Sequence, residues 1–132
     1  MRELLDTHIL LWWFEDGKRL SRKQARVLRR RDPSRPLLVS DISLWEVATL
    51  LSLGRIRLRL PLRDWLEHAT APPLVQRVGI TPAVAADVAA LPDHLHRDPA
   101  DRILISTARV FGAQLVTQDQ RIVDASVVDT LT

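Results

Sequence analysis

A chain of 132 residues, 46% of them apolar and 27% charged, is long enough to bury one core and too apolar to stay disordered. It contains no cysteine, which excludes a disulfide scaffold, a thiolate zinc site and a thiol nucleophile. The net charge of +3, from 19 basic and 16 acidic residues, is too small to define a partner by itself.

In chain order, Leu4-Leu5 reads as a short buried strand ending at Asp6. His8 to Phe14 then reads as a helix stopped at Asp16-Gly17. A second helix is predicted over Ser21 to Arg31, with Leu20, Gln24, Val27 and Leu28 on its inward stripe and arginines between them. Asp32 to Pro36 is a turn and Leu37-Leu38-Val39 a strand. Ser40 to Ser43 opens a helix that runs to about Leu53 and stops at Gly54. Arg55 to Leu60 alternates Arg with Ile or Leu, which suits either a short exposed strand or an extended connector. Pro61 opens a helix over Leu62 to Ala69, broken by Ala71-Pro72-Pro73. Leu74 to Ile80 is a third strand, Thr81-Pro82 starts a helix through Leu91, and Pro92 to Arg97 is a loop. Asp98-Pro99 begins a longer helix to Phe111, closed by Gly112. Leu115 to Thr117 is a strand, and Val127-Val128 is expected to be the last.

Strands alternating with helices imply an α/β fold: a mostly parallel sheet covered by helices on both faces, in one domain over residues 1–132. No run approaches the roughly 20 apolar residues needed to span a bilayer. The amino-terminal stretch, interrupted by Asp6 and His8, is no secretion signal. No membrane partner and a cytoplasmic location are the expectations.

Ligands of such sheets bind beyond the carboxyl ends of the strands. Five acidic residues are expected there: Asp6, Glu46, Asp98, Asp101 and Asp119. Each has an ordinary explanation. Asp6 and Asp98 suit helix caps, and Ser43-Leu44-Trp45-Glu46 matches a capping box. Asp101 suits a helix first turn, and Asp119 a turn. Their recurrence at one sheet edge is what those explanations leave out. Gathered carboxylates repel one another, and a hard divalent cation is the usual means of keeping them ionised together. The pattern therefore points to a metal-dependent enzyme. The basic residues outside that centre, Lys18 to Arg31 and Arg55 to Arg63, suit either a polyanionic substrate or a solvated face. His94 and His96 lie in a loop and suit a surface role or support of the acids. Most of Trp12, Trp13, Trp45 and Trp65 suit core or a partner interface rather than a base-stacking platform.

Four stretches then resemble the PIN-domain family, and within it the VapC-like ribonuclease toxins of toxin–antitoxin pairs. They are Leu4 to Trp12, Ser43 to Ala48, His96 to Ile105, and Leu115 to Asp119, which in order cover nearly the whole chain. The resemblance implies a three-layer α/β/α sandwich with a parallel sheet of about five strands. It assigns Asp6, Glu46, Asp101 and Asp119 to an acidic catalytic pocket, with Asp98 associated and Thr7 and Thr117 orienting carboxylates or water. It also implies a homodimer and a small antitoxin that blocks the pocket. Ala100 stands where similar toxins often carry Phe, and Thr49-Leu50 where a Lys often follows the Trp-Glu pair.

The expected activity is Mg²⁺- or Mn²⁺-dependent hydrolysis of RNA, since oxygen-only ligands favour those ions. Asp6, Asp101 and Asp119 would hold metal, and Glu46 would complete the site or orient the attacking water. Arg97 and Arg102 would either contact phosphate or satisfy nearby acids. Three alternatives differ from this reading. A catalytically silent interaction module of the same fold would lack activity, and a DNA-directed or RNA-maturation nuclease of the same fold would act on another substrate than a toxin does. A phosphoacceptor receiver domain would need an acidic pair after the first strand and a late Lys, whereas the lysines here are Lys18 and Lys23.

Overall fold

Every strand of the sheet runs parallel to its neighbours, in the order β3-β2-β1-β4-β5. The computed structural model describes residues 2–30 and 32–132. The strands are β1 (Glu3–Leu5), β2 (Leu37–Ser40), β3 (Val75–Val78), β4 (Gln114–Val116) and β5 (Thr130–Leu131). The helices are α1 (Thr7–Glu15), α2 (Arg22–Arg29), α3 (Asp41–Ser52), α4 (Leu62–Ala69), α5 (Pro82–Ala90), α6 (Pro99–Phe111) and α7 (Gln120–Ala125), with a 3-10 turn over Gly17–Arg19.

Side chains alternate across a strand, and here both directions are apolar. Leu5, Leu37, Val39 and Val116 face one way and pack with Ile9 and Leu10 of α1, Val27 and Leu28 of α2, Val47 of α3 and Trp65 of α4. Leu4, Leu38 and Leu115 face the other way and pack with Leu104, Ile105 and Ala108 of α6 and Ile122 of α7. The result is the expected three layers, with the sheet between two helical shells. β1 lies at its centre, with β2 on one side and β4 on the other. This is the switch point of the topology, where the loops leaving β1 and β4 part and a crevice opens at their carboxyl ends.

Differences from the predicted elements are local. The expected end of α2 at Arg31 lies outside the described residues. Arg55 to Leu60 is a connector: Ile56 and Leu58 turn to the core, but the backbone finds a side chain rather than a strand, Arg59 N–H donating to Glu15 Oε1 at 2.8 Å. The last strand lies at Thr130–Leu131 instead of Val127-Val128, because the unanticipated α7 takes up residues 120–125 first. Ser126, at φ 54°, ends α7, and Val127 and Val128 pack partly against the core on their way to β5.

Candidate functional site

Thr117 is the centre of the site. Fully buried just past β4, its hydroxyl donates to Asp6 Oδ2 at 2.7 Å and accepts from Asp119 N–H at 3.0 Å. One side chain thus ties together the acids that follow two adjacent strands. Asp6 is only 6% exposed. It caps α1, Oδ1 accepting from Thr7 N–H at 2.7 Å, while its own N–H donates to the Val116 carbonyl at 3.0 Å. The cap and the site are therefore the same carboxylate. Beneath Thr117, the buried Gln24 donates from Nε2 to the Thr117 carbonyl at 3.2 Å, and its Oε1 accepts from Ser21 N–H at 3.0 Å in a capping box. α2 is thereby fixed against the end of β4.

Glu46 arrives from α3. The sequence suggested that Ser43 and Glu46 form a capping box, but the helix starts earlier and Ser40 caps it. Ser43 and Glu46 are freed for the site: Thr7 Oγ1 lies 2.9 Å from Ser43 Oγ and hydrogen-bonds Glu46 Oε1. Asp98 caps α6, Oδ1 accepting from Asp101 N–H at 2.9 Å, with Pro99 in the first turn. Asp98 is exposed, whereas Asp101 is buried with Oδ2 2.7 Å from His96 Nε2. Asp119 caps α7, its Oδ1 accepting from Arg121 N–H at 2.9 Å.

Asp6, Glu46, Asp98, Asp101 and Asp119 all line one cavity of about 290 Å³, together with His8, Trp12, Gln118 and Arg121. Their proximity is visible in their protonation. Burial raises the pKa of Asp6 against the pull of its Thr117 hydrogen bond, and the charge of Asp101 adds to the rise. Burial, opposed by the Thr7 bond and reinforced by Asp6, Asp101 and Asp98, pushes Glu46 to about 7. Asp101 is raised by burial and by Asp98 and Asp119, against its bond to His96. Asp119 goes the other way: burial works to raise it, but the hydrogen bonds and charge of Arg121 together hold it low. Donor atoms of His96, Asp101 and Asp119 lie within 4.8 Å of one another, a spacing that one cation can span.

His96 supports an acid, as one of the roles open to it from the sequence. His94 is exposed and does not line the cavity. Arg102 does not face the cavity. It is buried, and its Nη1 donates to the carbonyls of Leu95 and His96 at 3.2 and 3.3 Å, holding the loop before α6. Trp65 is core and Trp45 is 60% exposed. Trp12 lines the cavity with the Arg19 guanidinium 4.6 Å from its ring centre. Arg121 was not singled out in the sequence; its signal is the Asp-x-Arg spacing at the start of α7, a helix too short to show periodicity.

Acidic side chains converging at the switch point of a parallel three-layer sheet define a carboxylate-pocket α/β protein. The PIN domain family model matches residues 4–128, and the chain belongs to that family, in its VapC-like group. Ribonuclease VapC22 of Mycobacterium tuberculosis (strain ATCC 25618 / H37Rv) is 40% identical over 119 residues, which are 90% of this chain and 88% of that one. The fold is also that of VapBC2 from Rickettsia felis, solved bound to a DNA fragment from their promoter. The TM-score there is 0.75 at 14% identity, covering 99% of this chain and 98% of that one. A toxin-antitoxin complex from Klebsiella pneumoniae aligns with a TM-score of 0.66 at 19% identity, covering 98% and 96% of the two chains. Among the described residues no helix is long and apolar enough to cross a membrane.

Proposed function

We propose that this chain, as one nuclease domain, is the ribonuclease toxin of a toxin–antitoxin pair, hydrolysing RNA phosphodiester bonds with a divalent cation held by its carboxylates. The observation that carries this reading is the convergence of Asp6, Glu46, Asp98, Asp101 and Asp119 on one cavity at the sheet's switch point. The kinship with a ribonuclease supports the reaction, and the likeness to a toxin–antitoxin complex supports a small antitoxin partner. A homodimer in the cytoplasm completes the proposal.

The donor set fits Mg²⁺ or Mn²⁺: hard carboxylate oxygens, several of them raised in pKa by burial and, less, by one another, so that a cation offsets both costs. Asp6, Asp101 and Asp119 hold the ion, with Glu46 completing the set. Asp98 chiefly caps α6 and adds its charge from the rim. When bound, the cation lowers the pKa of a water and offsets charge growing on the attacked phosphate. Thr7 and Ser43 fix Glu46, which orients the attacking water and takes its proton. The water oxygen forms the new bond to phosphorus, and the departing ribose oxygen takes a proton from solvent at the open mouth. Thr117 keeps Asp6 and Asp119 in register throughout.

The test replaces Asp6 or Asp101 with Asn and assays single-stranded RNA with Mg²⁺ or Mn²⁺. Cleavage is expected to fall by a factor of about 10³ or more in a folded protein, the scale on which loss of an electrostatic stabiliser is felt. Full activity in Asp6→Asn or Asp101→Asn removes that residue from the catalytic set. No cleavage by the wild-type chain with either ion refutes the ribonuclease reading.

A further inference from the structure

Arg121 is the one arginine or lysine that lines the acidic cavity among the described residues. Its Nη2 stands 3.0 Å from Asp119 Oδ2 and 3.6 Å from Asp101 Oδ2, and its Nε 3.3 Å from Asp119 Oδ1. These are the two acids whose donor atoms, with His96, are spaced to share an ion. The guanidinium therefore rests on the carboxylates that a metal would claim. Two further facts bear on what it can do. The side chain is 62% exposed, so little packing restrains it. Its root is held: the Arg121 N–H is bound by Asp119 Oδ1 at 2.9 Å, at the start of α7. A head tethered at its root, exposed, and held at the mouth of the cavity by carboxylates alone follows.

A divalent ion and a guanidinium in contact with the same oxygens repel each other strongly where solvent is partly excluded. They do not share the pair at full occupancy. We propose that Arg121 is a placeholder cation: it occupies Asp119 and Asp101 in the metal-free protein, is displaced when the divalent ion binds, and then turns its fork to the phosphate of the RNA. This rests on the ribonuclease reading above for its substrate, and on the geometry alone for the displacement. A guanidinium suits both posts, since its planar donors match carboxylate and phosphate oxygens alike.

The test uses the full chain. The Arg121 Nε–H resonance, identified by its loss in R121Q, should shift and exchange faster with water as Mg²⁺ is added, in step with binding. A signal unchanged at saturating Mg²⁺ overturns the displacement. In calorimetric titration with Mn²⁺ and no RNA, R121Q should bind about two- to fivefold more tightly than wild type, the worth of the exposed pairs it lacks. R63Q, which removes an exposed charge outside the cavity, should match wild type. Equal effects in the two variants, or none in R121Q, mean long-range charge or a static pair and overturn the proposal. With saturating Mg²⁺, R121Q should lose about tenfold or more in kcat/KM on a single-stranded RNA, partly recovered in R121K. Unchanged kcat/KM overturns the phosphate role while leaving RNA cleavage standing. If the wild type leaves RNA intact yet releases Arg121 on Mg²⁺, the ribonuclease reading fails, the phosphate role falls with it, and the displacement survives.

Discussion

Thr117 and Glu46 show how single side chains set the site. Thr117→Val keeps the shape but deletes the hydroxyl, leaving buried Asp6 Oδ2 and Asp119 N–H without their partner. A loss of about 1–3 kcal/mol in denaturant unfolding is expected, with Thr117→Ser recovering most of it. Equal stability of wild type and Thr117→Val would show that water replaces the hydroxyl. Glu46 governs the pH response of the metal-free protein. Its folded pKa of about 7 lies above its ordinary value of 4.5, so the folded state binds more protons between those limits. Its contribution is most favourable below about 4.5 and is lost as pH rises through 7. Asp6 and Asp101, also raised, act in the same sense. Metal-free protein should therefore unfold at a lower temperature at pH 8 than at pH 5.5. Screening of the half-buried Glu46 limits its share to on the order of 1 kcal/mol. In Glu46→Gln the slope with pH should flatten; an unaltered slope would assign the effect to the other acids.

At the scale of elements, the acids are placed by helix starts. α6 is the clearest case, capped by Asp98 and opened by Pro99. Asp98→Ala should cost about 1 kcal/mol, while Asp98→Asn, which caps equally well, should cost little. If Asp98→Asn weakens Mn²⁺ binding as much as Asp101→Asn does, Asp98 is a ligand and its capping is incidental. The other end of α6 rests on Gly112 at φ 63°, where any side chain is strained. The same grammar explains what the sequence made legible. β1, β2 and β4 are apolar runs cut off by Asp6, Ser40 and Thr117, and caps and Pro-Gly punctuation marked α3, α4, α5 and α6. α7 was hidden because six residues carry too little periodicity, and with it went the place of β5 and the presence of Arg121 in the cavity. Ser43 and Glu46 have the spacing of a capping box, and only tertiary structure shows that Ser40 has already taken the cap. Arg102 reads from its neighbours in the chain as either a phosphate contact or a partner of nearby acids, yet its helical phase turns it inward to two loop carbonyls.

For the whole molecule, the proposed metal site would link ion binding to folding. An ion that binds the folded protein and not the unfolded chain raises the melting temperature by mass action, about 2.7 kcal/mol at a hundredfold excess over Kd. Thermal scans of metal-free protein with added Mg²⁺ should show that rise, and it should grow from pH 6 to pH 8 as Glu46 ionises. No shift at millimolar Mg²⁺ would count against a preformed site. The fold itself depends on both shells: Leu4 and Leu5 are fully buried on opposite faces of the central strand. Replacing either with Ala should cost about 2–5 kcal/mol and loosen the crevice from beneath.

Asp6, Asp98 and Asp119 each seat the first turn of a helix while lining the cavity. Asparagine fills such a seat as well as aspartate does, and without the crowding of like charge. On the metal-dependent reading proposed above, a lineage of this fold can thus shed its chemistry through a lone amide exchange at Asp6 and emerge sturdier rather than crippled. Silenced descendants ought to carry asparagine at that post, with the architecture intact and the appetite for metal gone.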